Sequence, residues 1–135
     1  VSSSAAHRRV IESSLFDGRP MRAGQRVSIL IEALRSEDWQ KAYEITWQEF
    51  WDMHALFETC AKPFGYMKAG SMGALNAASE MWRSLGDGPL VTMDAGPNVH
   101  LLFRPDQKEL AQAFRDQIEQ TDSSARVIGN DVETI

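Results

Sequence analysis

The sequence predicts an α+β fold, with helices packed on a small antiparallel sheet. Three observations carry that prediction. Apolar residues recur at helical spacing through most of the chain. The period changes to a strand-like one only at "LVTMDA" and "NVHLLF", residues 90–95 and 98–103. A Gly-Pro turn joins those two runs. Strands joined so briefly pair as an antiparallel hairpin, which the helices then cover as a second layer.

The elements follow in order. "SSSAAHRRVIESS" offers three N-cap candidates ahead of helix formers, so a first helix starts near Ser3 or Ser4. "FDGRP" is a turn, and Pro20 suits the first turn of a second helix with Val27, Leu30, Ile31 and Leu34 at helical spacing. "SEDW" restarts a helix with acids in its first turn, favourable against the macrodipole. Along this third helix Trp39, Tyr43, Trp47 and Trp51 recur every four residues, joined by Phe50 and Phe57. At that spacing an aromatic stripe reads as core rather than as a stacking platform. Pro63 and Gly65 end it. A fourth helix is expected from Tyr66 to Leu85, with Leu75, Ala78 and Trp82 on its apolar face. "GDGP" is a loop leading into the hairpin. Pro105 opens a fifth helix, with Asp106 and Glu109 early and Leu110, Phe114 and Ile118 on one face. "ARVIG", residues 125–129, is expected to form a final strand. No internal repeat, low-complexity segment or linker interrupts the chain, so residues 1–135 read as one domain.

Bulk properties exclude several classes. At 135 residues the chain can bury a genuine core without staples. A net charge of −5 argues against binding a nucleic-acid backbone. The single Cys60 cannot form an internal disulfide, which makes a reduced, cytoplasmic setting the default. No apolar run approaches the roughly 18 residues of a membrane span, and the N-terminus lacks a signal-peptide core. The chain opens on "VSSSAAHRR" without an initiator Met, as expected of part of a longer polypeptide.

Two places invite chemistry. Three consecutive hydroxyls, Ser2 to Ser4, at a helix start serve either as plain caps or as an anion cradle, because free N–H groups and the dipole favour phosphate there. Asp94 ends an apolar strand just before "AGPN". It is either a solvated turn residue bonding its own backbone, or a general base for a hydroxyl brought within reach. Gly96 permits close approach by a ligand, and Pro97 stiffens the bend. His7, His54 and His100 share no metal-ligand spacing with Cys60 or with one another, so no metal site is expected. His54 follows a helical apolar face and reads as a satisfied core or rim histidine.

"TMDAGPNVHLLF" resembles the signature of the diphosphomevalonate decarboxylases, a branch of the GHMP kinase superfamily, whose C-terminal domain carries a "DAGPN" turn between two strands. "VSSSAAH" resembles the family's "VSST-x-GM" segment, "ESSLFDGR" its "TS-x-LF-x-x-R" stretch, and "SEDWQKAYEITWQEFWDMHA" the helix ending in "FHATC". Tyr66 and Ser71 sit where that pattern has an aromatic and a serine. Ala6 and His7 replace the family's Gly-Met, and Lys62 replaces one proline of a pair. The likeness is nearly continuous from Val1 to about Phe103.

The resemblance implies a GHMP kinase C-terminal, ferredoxin-like domain of an enzyme of the mevalonate pathway of isoprenoid biosynthesis. That enzyme uses ATP to phosphorylate the C3 hydroxyl of mevalonate 5-diphosphate, giving isopentenyl diphosphate, phosphate and carbon dioxide. It implies that Asp94 faces the C3 hydroxyl as base or orienting group, that Ser3 contacts the substrate's phosphates, and that Ser4 lies close by. ATP and Mg²⁺ would be held mainly by an N-terminal domain absent from this chain, which alone is expected to be inactive. Family members commonly dimerise, though no patch in the sequence demands it. A phosphomevalonate decarboxylase, a mevalonate kinase-like paralogue and a non-catalytic interaction module stand as alternatives.

Overall fold

The computed structural model describes residues 1–129. Two of its helices, the first and the third, start where a polar side chain satisfies a free amide. Ser2 caps α1 (Ser3–Arg9), its side chain accepting from the Ala5 amide at 3.3 Å. After a 3-10 turn at Val10–Glu12, α2 (Arg19–Arg35) opens with Pro20 in its first turn, where an N–H would have no partner anyway. Asp38 caps α3 (Trp39–Glu58) through the Lys41 amide at 2.9 Å. The acids of "SEDW" therefore precede the first turn instead of lying in it. Glu37 makes the bend between α2 and α3 with φ 57°, in the left-handed region.

α4 (Ala69–Leu85) begins later than the sequence suggests. Residues 63–68 carry no helical turn, and Tyr66 instead donates its hydroxyl to the Val1 carbonyl at 2.9 Å. Gly86 closes α4 with φ 65°, a left-handed cap that glycine adopts without a Cβ penalty. β1 (Leu90–Met93) then pairs antiparallel with β2 (Val99–Leu102), Leu90 opposite Leu102 and Met93 opposite Val99. A 3-10 turn at Pro105–Gln107 leads into α5 (Lys108–Thr121). The α+β expectation of helices on a small antiparallel sheet holds.

The expected strand at "ARVIG" does not form, and the sheet has two strands among the described residues. Val127 and Ile128 are exposed, with no paired strand beside them. β-branched residues favour extended backbone, but a strand also needs ladder pairing, and residues 125–129 pair with neither β1 nor β2.

The central core joins α3, α4, β1 and α5 through Phe50, Leu75, Ala78, Val91, Met93 and Phe114. Of the aromatic stripe of α3, Tyr43, Trp47, Phe50 and Trp51 pack in this core, while Trp39 and Phe57 join smaller clusters on either side. Tyr43 stacks on Trp82 with centroids 4.4 Å apart, and Trp47 meets Phe50 edge-on at 5.3 Å. A second cluster, Ala6, Val10, Leu56 and Phe57, packs with Tyr66 and Ala95 and so ties α1 to the segment that follows β1.

α2 behaves differently. Its apolar spacing is helical, yet Val27, Ile31 and Leu34 are exposed and only Ala33 is buried. Ala33 and Leu30 pack with Ala42 and Trp39 of α3, and polar contacts supply the rest of the joint. Arg19 and Arg26 both pair with Glu49 and Asp52, and Arg22 pairs with Asp52 at 2.8 Å.

Candidate functional site

Asp94 lies one residue beyond β1, at the start of the five-residue connection Asp94–Asn98. Its side chain is 61% exposed, with Oδ2 3.6 Å from Nε2 of His100. The backbone beneath it is held firmly. Nε2 of His54, a side chain buried in α3, lies 3.0 Å from the Asp94 carbonyl oxygen. A carbonyl only accepts, so that nitrogen carries the proton. Burial pushes the His54 imidazole below its ordinary pKa, over the raising effect of the Asp94 carbonyl and of the Glu58 and Asp94 charges. The ring therefore stays neutral at pH 7. Ser71, buried in the first turn of α4, donates to the Pro97 carbonyl at 2.6 Å.

Gly96 has a steric reason to be glycine. A Cβ there would fall 2.8 Å from Oδ1 of Asp94. Without it, the carboxylate lies over the connection while remaining open to solvent. Ala95 turns the other way, into the cluster with Ala6 and Tyr66. Burial raises the Tyr66 hydroxyl's pKa and the Asp94 charge raises it further, against a lowering effect of Arg9, so the phenol remains a neutral donor.

Ser3 and Ser4 open α1, both exposed, and Ser2 takes the cap. The hydroxyl that closes the helix start is thus not one of the two expected to face a ligand. α1, Tyr66 and the Asp94 connection share one cluster, which brings the serine-rich start and the aspartate to the same end of the domain. Two shallow depressions elsewhere, one between α2 and α3 and one between α3 and α4, are lined by none of Ser3, Ser4 and Asp94.

Among the described residues no group of three or more His, Cys, Asp or Glu could hold a metal ion. No helix among them is long and apolar enough to cross a membrane. His54 is satisfied and buried, as its place on an apolar face suggests. Its link to Asp94 has no sequence signal, since 40 residues separate the two. Ser71 and His100 are likewise joined to the connection only by folding.

The model of the mevalonate 5-diphosphate decarboxylase C-terminal domain family matches residues 1–134. The chain belongs to this family. A mevalonate diphosphate decarboxylase from Legionella pneumophila superposes with a TM-score of 0.83 at 44% identity, over 87% of this chain and 37% of its own. The structure of MDDEF in complex with MVAPP, AMPPCP and magnesium matches at 30% identity and TM-score 0.78, over 87% of this chain and 36% of that one. The mevalonate diphosphate decarboxylase from Enterococcus faecalis, described with a mevalonate diphosphate mediated ATP binding mechanism, gives 29% and 0.77, over 86% and 36%. No curated protein matches the chain. The chain spans little more than a third of these relatives' length, and the decarboxylase C-terminal domain is the part it shares.

Proposed function

We propose that this chain is the substrate-binding, aspartate-bearing domain of an ATP-dependent decarboxylase converting mevalonate 5-diphosphate to isopentenyl diphosphate, phosphate and carbon dioxide. The observation that carries the reading is the presentation of Asp94. Its carboxylate is exposed while the backbone it stands on is bonded to a buried histidine. An ordinary solvated turn acid needs no such support. The Legionella relative and the complex with MVAPP, an ATP analogue and magnesium support the substrate and nucleotide assignments by similarity.

Within this reading, Asp94 accepts or orients the proton of the tertiary C3 hydroxyl as that oxygen attacks the γ-phosphoryl group of ATP. Loss of phosphate from C3 and of carbon dioxide from the carboxylate then forms the double bond. Ser3 donates to the diphosphate at the start of α1, and Ser4 stands beside it. The described residues offer no metal-binding cluster, and several arginines are already paired with acids of this chain. We therefore assign Mg²⁺ and the nucleotide to an N-terminal domain supplied by the rest of the protein.

The test is release of labelled carbon dioxide from carboxyl-labelled mevalonate 5-diphosphate, with ATP and Mg²⁺, by the longest natural polypeptide containing this segment. Release should collapse by at least about a hundredfold in Asp94→Ala with the fold intact. ATP consumption without release would replace this reading with a kinase. A folded protein with neither activity would leave a non-catalytic module.

A further inference from the structure

The connection that presents Asp94 is anchored from below at two points. The β1–β2 ladder ends at the Met93–Val99 pair, so the carbonyls of Asp94 and Pro97 lie outside it. Two buried side chains from two different helices bond them. His54 of α3 is 2% exposed and holds Asp94; Ser71 of α4 is 7% exposed and holds Pro97. The imidazole has little freedom to turn. It meets Phe57, Tyr66 and Phe50 edge-on, with ring centroids 5.2, 6.1 and 6.3 Å away.

The held carbonyl carbon is bonded directly to the Asp94 Cα, so fixing its direction sets the Cα–Cβ direction from which the carboxylate reaches out, leaving only the side-chain torsions free. Phosphoryl transfer to a hydroxyl depends on this kind of placement, because there is little covalent chemistry for the protein to do. We infer that His54 is a positioning residue for Asp94, with Ser71 as the second anchor of the same connection. The inference rests on Asp94 facing the reacting hydroxyl. It assigns His54 an effect on turnover and little effect on substrate binding.

The distinguishing variants are His54→Phe and His54→Gln in the full-length polypeptide. Phe keeps an aromatic ring among aromatic neighbours but removes the donor. Gln places an amide nitrogen near the position of Nε2. We expect His54→Phe to lower kcat by about ten- to a hundredfold, the scale of a displaced catalytic group. KM for mevalonate 5-diphosphate should stay within about threefold. His54→Gln should recover most of the lost kcat. A folded His54→Phe protein with wild-type kcat, or a loss that Gln fails to rescue, overturns the inference.

If His54→Phe does not fold, Ser71→Ala takes its place, because it leaves the imidazole untouched. A kcat loss with unchanged KM supports the two-anchor arrangement, and wild-type kcat overturns it. Asp94→Asn is measured beside these variants. If it keeps full decarboxylase activity, the reading of Asp94 itself fails. If it is inactive while His54→Phe is fully active, only the positioning role fails.

Discussion

At the scale of single residues, Gly96 shows how little space the site leaves. A methyl group at this position would lie 2.8 Å from Oδ1 of Asp94, inside contact distance, so one of the two must give way. The carboxylate is exposed and can swing outward, which makes the collision cheap for folding and harmful to aim. Gly96→Ala should therefore lower kcat by about tenfold or more while changing unfolding free energy by less than about 1 kcal/mol. Steady-state kinetics beside a thermal melt would check this, and equal losses in both would contradict it. Such local features are legible in sequence: Asp94, Gly96 and Pro97 lie within four positions, and Ser3 and Ser4 are adjacent. His54 and Ser71 are not legible as partners of that connection. Their hydrogen bonds reach 40 and 26 residues along the chain, and nothing local marks either one.

At the scale of elements, side-chain donors hold the backbone on either side of β1. Trp39 and Gln107 both bond the Gly88 carbonyl, at 2.7 and 3.0 Å, and Trp82 bonds the Pro89 carbonyl at 2.8 Å. His54 then takes Asp94 just past the strand's other end. A two-stranded sheet leaves backbone groups outside its ladder, and indole, amide and imidazole donors satisfy them. The helices were legible mainly from their apolar period, with a side-chain cap agreeing at α1 and α3. The start of α4 and the strand at "ARVIG" were not, since each depends on a tertiary partner.

The contact between α2 and α3 combines a small apolar cluster around Ala33 and Ala42 with a set of ion pairs, and the ion pairs make it sensitive to pH. Burial alone would raise the Asp52 carboxyl, but hydrogen bonds from Arg22 and Arg26 and their charges together hold it below its ordinary pKa. A carboxyl lowered in the folded state stabilises above its unfolded pKa of about 3.9, and that stabilisation disappears as pH falls through the folded value. Asp52→Asn should cost about 1–3 kcal/mol at pH 7. The gap between variant and wild type should close as the solution is acidified below about pH 3.9. Urea melts at both pH values measure it. A gap that persists in acid would mean that Asp52 acts through packing instead.

At the scale of the whole molecule, the distribution of charge argues for a division of labour. The chain carries −5 overall, and Arg22 and Arg26 on α2 and Arg104 just after β2 are paired with acids. A nucleoside triphosphate brings several negative charges, and phosphoryl transfer develops more on the oxygens in flight. In the proposed reading most of that compensation, with Mg²⁺, comes from the rest of the protein. The chain also spans little more than a third of its structural relatives, one of which holds an ATP analogue with magnesium. Calorimetric titration of ATP with Mg²⁺ into the 135-residue chain should show no saturable binding tighter than about 1 mM. The longer polypeptide should bind saturably under the same conditions. Tight nucleotide binding by the short chain would place phosphate-compensating groups in this domain and undo the division. Its absence, together with decarboxylation by the longer chain, would leave this domain the tasks proposed for it: receiving the diphosphate at the start of α1 and holding Asp94 toward the hydroxyl.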